Sequence, residues 1–263
     1  MDLGLKDRVA LVAASSQGLG RAVAEELAAE SASLVLCARD VETLAQTAAA
    51  IADSSGAHVL AVPADVTVIA DIKRVVESGI ERFGRIDILV TNAGGPPAGT
   101  FEQITREQWE EATRLTLFSA IEFARQVLPG MKRRRWGRIL NITSIAVKQP
   151  VENLMLSNSL RAGLTGFART LANEVAAEGI TVNNIMPGYT RTERLEELAT
   201  MMAEKHGISA KEFSAKWEKE IPMGRLGEPR EFAAVAAFLV SERASYITGT
   251  SVQVDGGWIR SLL

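Results

Sequence analysis

A chain of 263 residues, 47% of them hydrophobic, can bury one substantial core, and α/β chains of this length often run as one domain. With 29 Lys and Arg against 32 Asp and Glu, the net charge of -3 gives no field to draw in nucleic acid or an anionic membrane, and neither partner is expected. One cysteine and two histidines, with no HExxH or paired-cysteine spacing, exclude an internal disulfide and a structural or catalytic metal cluster.

In chain order, the first apolar run, 9–13, lies in MDLGLKDRVALVAASS. It is too short to span a bilayer, and Asp7 and Arg8 precede it without a small-residue cleavage pattern, which points to the cytoplasm. Further β-rich runs occupy 34–37, 59–62, 86–90, 138–142, 180–185 and 251–254, with helix-length amphipathic segments between most of them. Cys37 lies inside the second and reads as a small buried hydrophobe. The runs are continuously apolar, as strands covered on both faces must be. The pattern predicts an α/β fold with a doubly wound, seven-stranded parallel sheet of Rossmann type, one domain over 1–263. An insertion at about 189–227 contains the helix-like stretch TERLEELATMMAEKHG. It follows a strand's carboxyl end, where open α/β sheets bind ligands, and reads as a substrate lid.

Chemistry enters after the first strand, in Ala13-Ala14-Ser15-Ser16-Gln17-Gly18-Leu19-Gly20. Glycines there let backbone N–H groups approach a pyrophosphate at the N-terminus of the following helix, although such a loop can also be only a tight turn. About twenty residues on, Ala38 stands where an acid would bind a ribose 2′-OH, and Arg39 follows, suited to a 2′-phosphate. NADP(H) is therefore favoured over NAD(H). In the bland alternative, Arg39 and Asp40 solvate a strand end and Asp40 caps the next helix.

Together with these, Asp65-Val66, Asn92-Ala93-Gly94, Ser144, Pro187-Gly188, Ile247-Thr248-Gly249 and Val254-Asp255-Gly256-Gly257 form an ordered set. By it the chain resembles the short-chain dehydrogenase/reductase family from end to end, in particular its 3-oxoacyl-acyl-carrier-protein-reductase-like branch. The resemblance implies that Ala14, Ser16, Gln17, Gly18, Leu19 and Gly20 cradle the dinucleotide. It also implies that Asp65 and Val66 hold the adenine and that Asn92, Ala93 and Gly94 line the cleft. Pro187, Gly188 and Thr190 would seat the nicotinamide, and Thr192 would reach the pyrophosphate. A homo-oligomer, tetramer or dimer, is implied as well, with Trp258-Ile259 suited to a buried contact.

The departures are in the catalytic set. The family's reductases place Tyr-x-x-x-Lys about thirteen residues beyond the serine, on one helical face. Counting from Ser144 reaches Ser157 and then Arg161, in a frame kept by Ala162-Gly163-Leu164. Thr116 replaces the usual asparagine. Arg161 keeps a positive charge for ribose binding and alkoxide stabilisation but is no acid near neutral pH. A serine hydroxyl is far less acidic than a phenol of pKa about 10, so Ser157 can serve only in a relay. Lys148, Tyr189 and His206 are other proton sources, each with a blander reading as solvated, packed or exposed. The run Lys132-Arg133-Arg134-Arg135 reads as cations at a helix C-terminus.

Two readings stay open. One is an NADP(H)-dependent oxidoreductase that reduces a small-molecule carbonyl, or oxidises the alcohol, by an altered proton route through Ser144, Ser157, Arg161 and water. The other is a catalytically impaired nucleotide-binding sensor or scaffold, and non-redox chemistry on the same scaffold is a third, lesser option.

Overall fold

The computed structural model describes residues 2–262. Seven parallel strands, β1 (Val9–Ala13), β2 (Ser33–Ala38), β3 (Val59–Pro63), β4 (Ile88–Thr91), β5 (Gly137–Ile142), β6 (Ile180–Pro187) and β7 (Ser251–Val254), lie in the order β3-β2-β1-β4-β5-β6-β7. The chain reverses its direction of travel between β1 and β4, the switch point where sheets of this kind open a crevice at their carboxyl ends. Two strand limits differ from expectation by two residues, the others by one or none. β4 begins after Asp87, whose N donates to Val9 O at 2.8 Å and whose side-chain Oδ2 accepts from Val9 N at 3.1 Å. β6 runs on to Pro187 because β7 stays in register with it through the pair Pro187 and Val254.

Helices α1 (Gly18–Ala29), α2 (Val41–Ser55) and α3 (Ile69–Phe83) are the crossovers from β1 to β2, β2 to β3 and β3 to β4. α4 (Arg106–Thr113) and α5 (Ser119–Arg134) are joined by a π-helical turn at Arg114–Phe118. α6 (Met155–Val175) and α9 (Pro229–Leu239) complete the layers, and α7 (Glu193–His206) and α8 (Ala210–Glu220) form a hairpin beyond β6. Apolar stripes of α1, α2 and α9 cover one sheet face, with Leu27, Leu44 and Phe232 fully enclosed. Those of α3, α5 and α6 cover the other, around Val75, Phe123 and Leu171. Truncating Phe123 or Phe232 to alanine would cost about 3–5 kcal/mol.

The helix-like stretch expected after β6 is α7, and the insertion holds a second helix, α8, beyond it. Ser209 starts the second: its Oγ accepts from Glu212 N at 3.2 Å and its own N donates to Glu212 Oε2 at 2.8 Å. Phe213 and Trp217 of α8 pack on Ala199 and Ala203 of α7, which gives the hairpin a small core of its own. Among the described residues no helix is long and apolar enough to cross a membrane, and no group of three His, Cys, Asp or Glu is placed to hold a metal ion.

A polar chain crosses the sheet beneath the crevice. Thr91 Oγ1 donates to Asn141 Oδ1 at 2.7 Å, Asn141 Nδ2 to Asn184 Oδ1 at 3.0 Å, and Asn184 Nδ2 to Ser251 Oγ at 3.1 Å. These residues are direct neighbours in the strand register, so the side chains fix the alignment of β4, β5, β6 and β7. A slip by one residue would strand several buried amide groups.

Candidate active site

The expected site segments follow β1 to β6 at one edge of the sheet, so the fold brings them together. In the loop after β1, Ala14 takes φ 48, a left-handed conformation that favours glycine. Its carbonyl accepts from Asn92 Nδ2 at 3.1 Å, tying the loop to the end of β4. A β-carbon on Gly20 would strike the Ala14 carbonyl oxygen and stand 2.9 Å from Asn92 Nδ2, so only glycine permits this closure. Ser16 is fixed through its carbonyl, which accepts from Thr47 Oγ1 at 2.7 Å. Gln17 precedes α1 without making a side-chain cap, and the first turn, with Gly18 and Leu19, carries no acid. The N–H groups there are left for an anion.

At the end of β2, Arg39 is exposed and makes no hydrogen bond or ion pair among the described residues. Asp40 caps α2, accepting from Thr43 N at 2.7 Å, which holds its carboxyl below the usual carboxylate range. The bland reading is therefore correct for Asp40, while Arg39 has no structural employment. After β3, Asp65 Oδ1 accepts from Thr67 N at 2.9 Å and Thr67 Oγ1 at 2.8 Å, which leaves Oδ2 uncommitted. Val66 beside it is buried, Ala93 is half-buried and Gly94 is exposed.

The positions expected to be catalytic lie after β5, on α6 and in the π-helical turn, elements that pack together. Ser144 Oγ accepts from Ala146 N at 3.1 Å, so its own proton remains free to be donated. Ser157 and Arg161 lie one turn apart on α6, both buried. Arg161 Nη1 donates to the carbonyls of Ile142 and Thr143, each at 2.9 Å. No carboxylate pairs with the guanidinium among the described residues, and desolvation alone lowers its pKa, to about 10. It is still cationic at neutral pH. Thr116 sits in the π-helical turn, 4% exposed, and its hydroxyl has no hydrogen-bond partner among the described residues. Such turns often mark functional positions.

After β6, Gly188 is pinned: its N donates to Val254 O at 2.9 Å, and a β-carbon there would stand 2.7 Å from Asp255 Cα. Thr190 is buried, and Thr192 caps α7 by accepting from Leu195 N at 3.3 Å. Thr192 also lies near the glycine loop, its Cγ2 3.9 Å from a β-carbon position on Gly18.

Tyr189 is not the missing acid. Its ring stacks on Trp217 at 4.9 Å and meets Trp258 edge-on at 5.6 Å, and burial pushes its pKa up to about 12. Lys148 is exposed, and His206, also exposed, holds the Met202 carbonyl at 2.8 Å through Nδ1. Burial pushes the Cys37 thiol to about 12, leaving it unreactive. The cations at 132–135 do close a helix: three stand in the last turn of α5, with Lys132 paired to Glu178 at 2.7 Å. Within the chain Ile259 is buried against Ile145 and Met186, while Trp258 beside it is half-buried. Composition gave no hint of the Arg161 clamp on β5, of the Thr91-Asn141-Asn184-Ser251 chain, or of Glu193 and Arg194 at the cleft. The first two are contacts distant in sequence, and the last two resembled solvated helix residues.

Comparison with known proteins agrees with this geometry. Residues 13–259 match the profile of the family described as enoyl-(acyl carrier protein) reductase. The chain is 35% identical over 255 residues to 3-oxoacyl-(acyl-carrier-protein) reductase FabG of Escherichia coli, covering 97% of this chain and 98% of that protein. Against the FabG of Aquifex aeolicus it is 33% identical over 257 residues, covering 98% and 99%. L-sorbose reductase from Gluconobacter frateurii, in a structure complexed with NADPH and L-sorbose, superposes with TM-score 0.95 at 36% identity over 100% of both chains. A structure of actinorhodin polyketide ketoreductase with NADPH gives TM-score 0.93 at 30% identity over 97% and 98%. With its strand order, its glycine loop and its similarity over nearly the whole length, the chain belongs to the short-chain dehydrogenase/reductase family, among its 3-oxoacyl-acyl-carrier-protein-reductase-like members.

Proposed function

We propose that this protein is an NADP(H)-dependent oxidoreductase that reduces a carbonyl compound, or oxidises the corresponding alcohol, without the family's tyrosine-lysine pair. The observation that carries the cofactor reading is Arg39, a cation without a partner at the end of β2, where a 2′-phosphate would lie. The rest of the cleft fits a dinucleotide: an uncapped α1, a glycine required at position 20, and a free oxygen on Asp65. Two structural relatives were solved with NADPH.

Arg39 would pair with the 2′-phosphate, Asp65 would accept from the adenine, and the N–H groups of 18–20 would face the pyrophosphate. NADPH bound in that cleft supplies the hydride. Ser144 donates its free proton as a hydrogen bond to the substrate oxygen. Arg161, whose Nη1 is spent on β5, uses its remaining donors to hold the ribose hydroxyls and favour negative charge on that oxygen. Ser157 passes a proton from water. Without a positioned acid of suitable pKa the rate falls by about 10² to 10⁴ relative to the family's usual arrangement. The hairpin α7–α8 acts as a lid, and homo-oligomer formation belongs to the same reading.

One observation favours a second reading. The chain has only two tyrosines: Tyr189 is locked in the aromatic cluster and Tyr246 is fully exposed. No phenol is placed to act, and a sensor or scaffold that binds the nucleotide without turnover follows if water cannot deliver the proton. NADPH consumption over a carbonyl panel, with binding measured on the same preparation, separates the two. Turnover above the enzyme-free rate supports the reductase, and binding without turnover makes the sensor reading the better one.

A further inference from the structure

The first turn of α7 stands between the loops that would grip the dinucleotide. A β-carbon built on Gly18 would lie 3.7 Å from Glu193 Oε2, and one built on Gly95 would lie 3.3 Å from Arg194 Nε. Arg194 is anchored there, with Nη2 donating to the Pro96 carbonyl at 3.5 Å and Nη1 paired with Glu197 at 3.4 Å. Glu193 is not anchored: its carboxylate makes no hydrogen bond or ion pair among the described residues. It nevertheless lies against the glycine loop, beside a helix whose own sequence puts neither a cap nor an acid in its first turn. A helix N-terminus favours a nearby anion through its partial positive charge. Two anions at that place repel each other.

We infer that Glu193 is an affinity-determining residue for the cofactor: its carboxylate and the pyrophosphate compete for the glycine loop, so that binding the dinucleotide displaces the first turn of α7. The inference rests on the dinucleotide reading of this cleft. Glu193 weakens NADPH binding and speeds release, and cofactor exchange is thereby tied to movement of the hairpin. Arg194, held to the β4 loop, is the pivot about which that turn moves. The arrangement suits an enzyme whose turnover includes cofactor release after every cycle.

The test is NADPH affinity, by quenching of tryptophan fluorescence, in the parent and in Glu193→Gln, with adenosine 2′-monophosphate as a second probe. That probe carries the phosphate facing Arg39 but none at the 5′ position. The side chain is exposed, so the variant should fold as the parent does. Glu193→Gln should tighten NADPH roughly two- to fivefold, slow its release in stopped flow, and leave adenosine 2′-monophosphate unchanged. Equal or weaker NADPH binding in the variant overturns the inference, as does equal tightening of both probes. If the parent fails to bind NADPH at all, the cofactor reading itself is overturned and this inference with it.

Discussion

Arg161 Nη1 on α6 donates to the Ile142 carbonyl at 2.9 Å, and equally to that of Thr143, so one guanidinium holds the end of β5 immediately before Ser144. The guanidinium keeps Nη2 and Nε beyond those two bonds, in a fixed planar fork, whereas an ammonium carries all of its donors on one nitrogen.

A pH dependence follows. Burial lowers the Arg161 pKa to about 10, so the charge persists through the neutral range and NADPH affinity should not change on its account between about pH 6 and 9. Arg161→Lys should bring in an alkaline loss of affinity, since a buried lysine falls below its ordinary pKa of about 10.4. The sign for stability is the opposite. The folded variant would bind fewer protons than the unfolded chain between the lowered pKa and about 10.4, so its stability rises with pH across that window. Titrations of NADPH affinity at several pH values check this, and parallel profiles for parent and variant would refute it.

On the proposed reading, Arg39 sets the preference between the two nicotinamide cofactors. Arg39→Ala should weaken NADPH by about tenfold to a hundredfold, the worth of a charge-assisted contact, and leave NADH nearly unchanged. Equilibrium binding of both cofactors to both proteins reads this directly. Equal affinities in the unmutated protein would contradict the preference.

Asn141 is the middle of the cross-sheet chain, and Asn141→Leu would leave Thr91 Oγ1 and Asn184 Oδ1 buried without partners. At about 1–3 kcal/mol for each orphaned group, the loss in urea unfolding should be about 2–6 kcal/mol. A loss below about 1 kcal/mol would mean that the register is held by the backbone alone.

The hairpin beyond β6 should order when ligand arrives. Hydrogen exchange over 190–222 is expected to slow on adding NADPH together with a substrate that is turned over, most of all in α7, whose exposed face is rich in glutamate. Unchanged protection would count against a lid. The core of Phe213, Trp217 and Tyr189 should keep α8 the slower-exchanging of the two helices.

The alternation of apolar runs was enough to place all seven strands, because a strand covered on both faces is apolar over most of its length. β4 starts two residues later than the apolar run at 86 suggests, and Asp87 just before it binds Val9 through both backbone and side chain, a pairing that the sequence does not show. Ser157 and Arg161 were found by counting from Ser144, and the structure puts them together on α6 as the spacing required. The partners of Arg161 were not legible, since a carbonyl has no identity in sequence. Nor was the role of Glu193, whose neighbour Gly18 is remote in the chain and close only in the fold.

The central claim, a reductase that works without its usual proton donor, is tested most directly by NADPH oxidation over a carbonyl panel in the parent, in Ser157→Ala and in the double variant Ser157→Tyr with Arg161→Lys. Folding and NADPH affinity are measured in each. The account predicts slow turnover in the parent, slower in Ser157→Ala, and a rise of up to about 10² to 10⁴ in a folded, cofactor-binding double variant. A double variant that folds, binds NADPH and is as inactive as a parent with no turnover would contradict it, as would a fast parent left fast by Ser157→Ala.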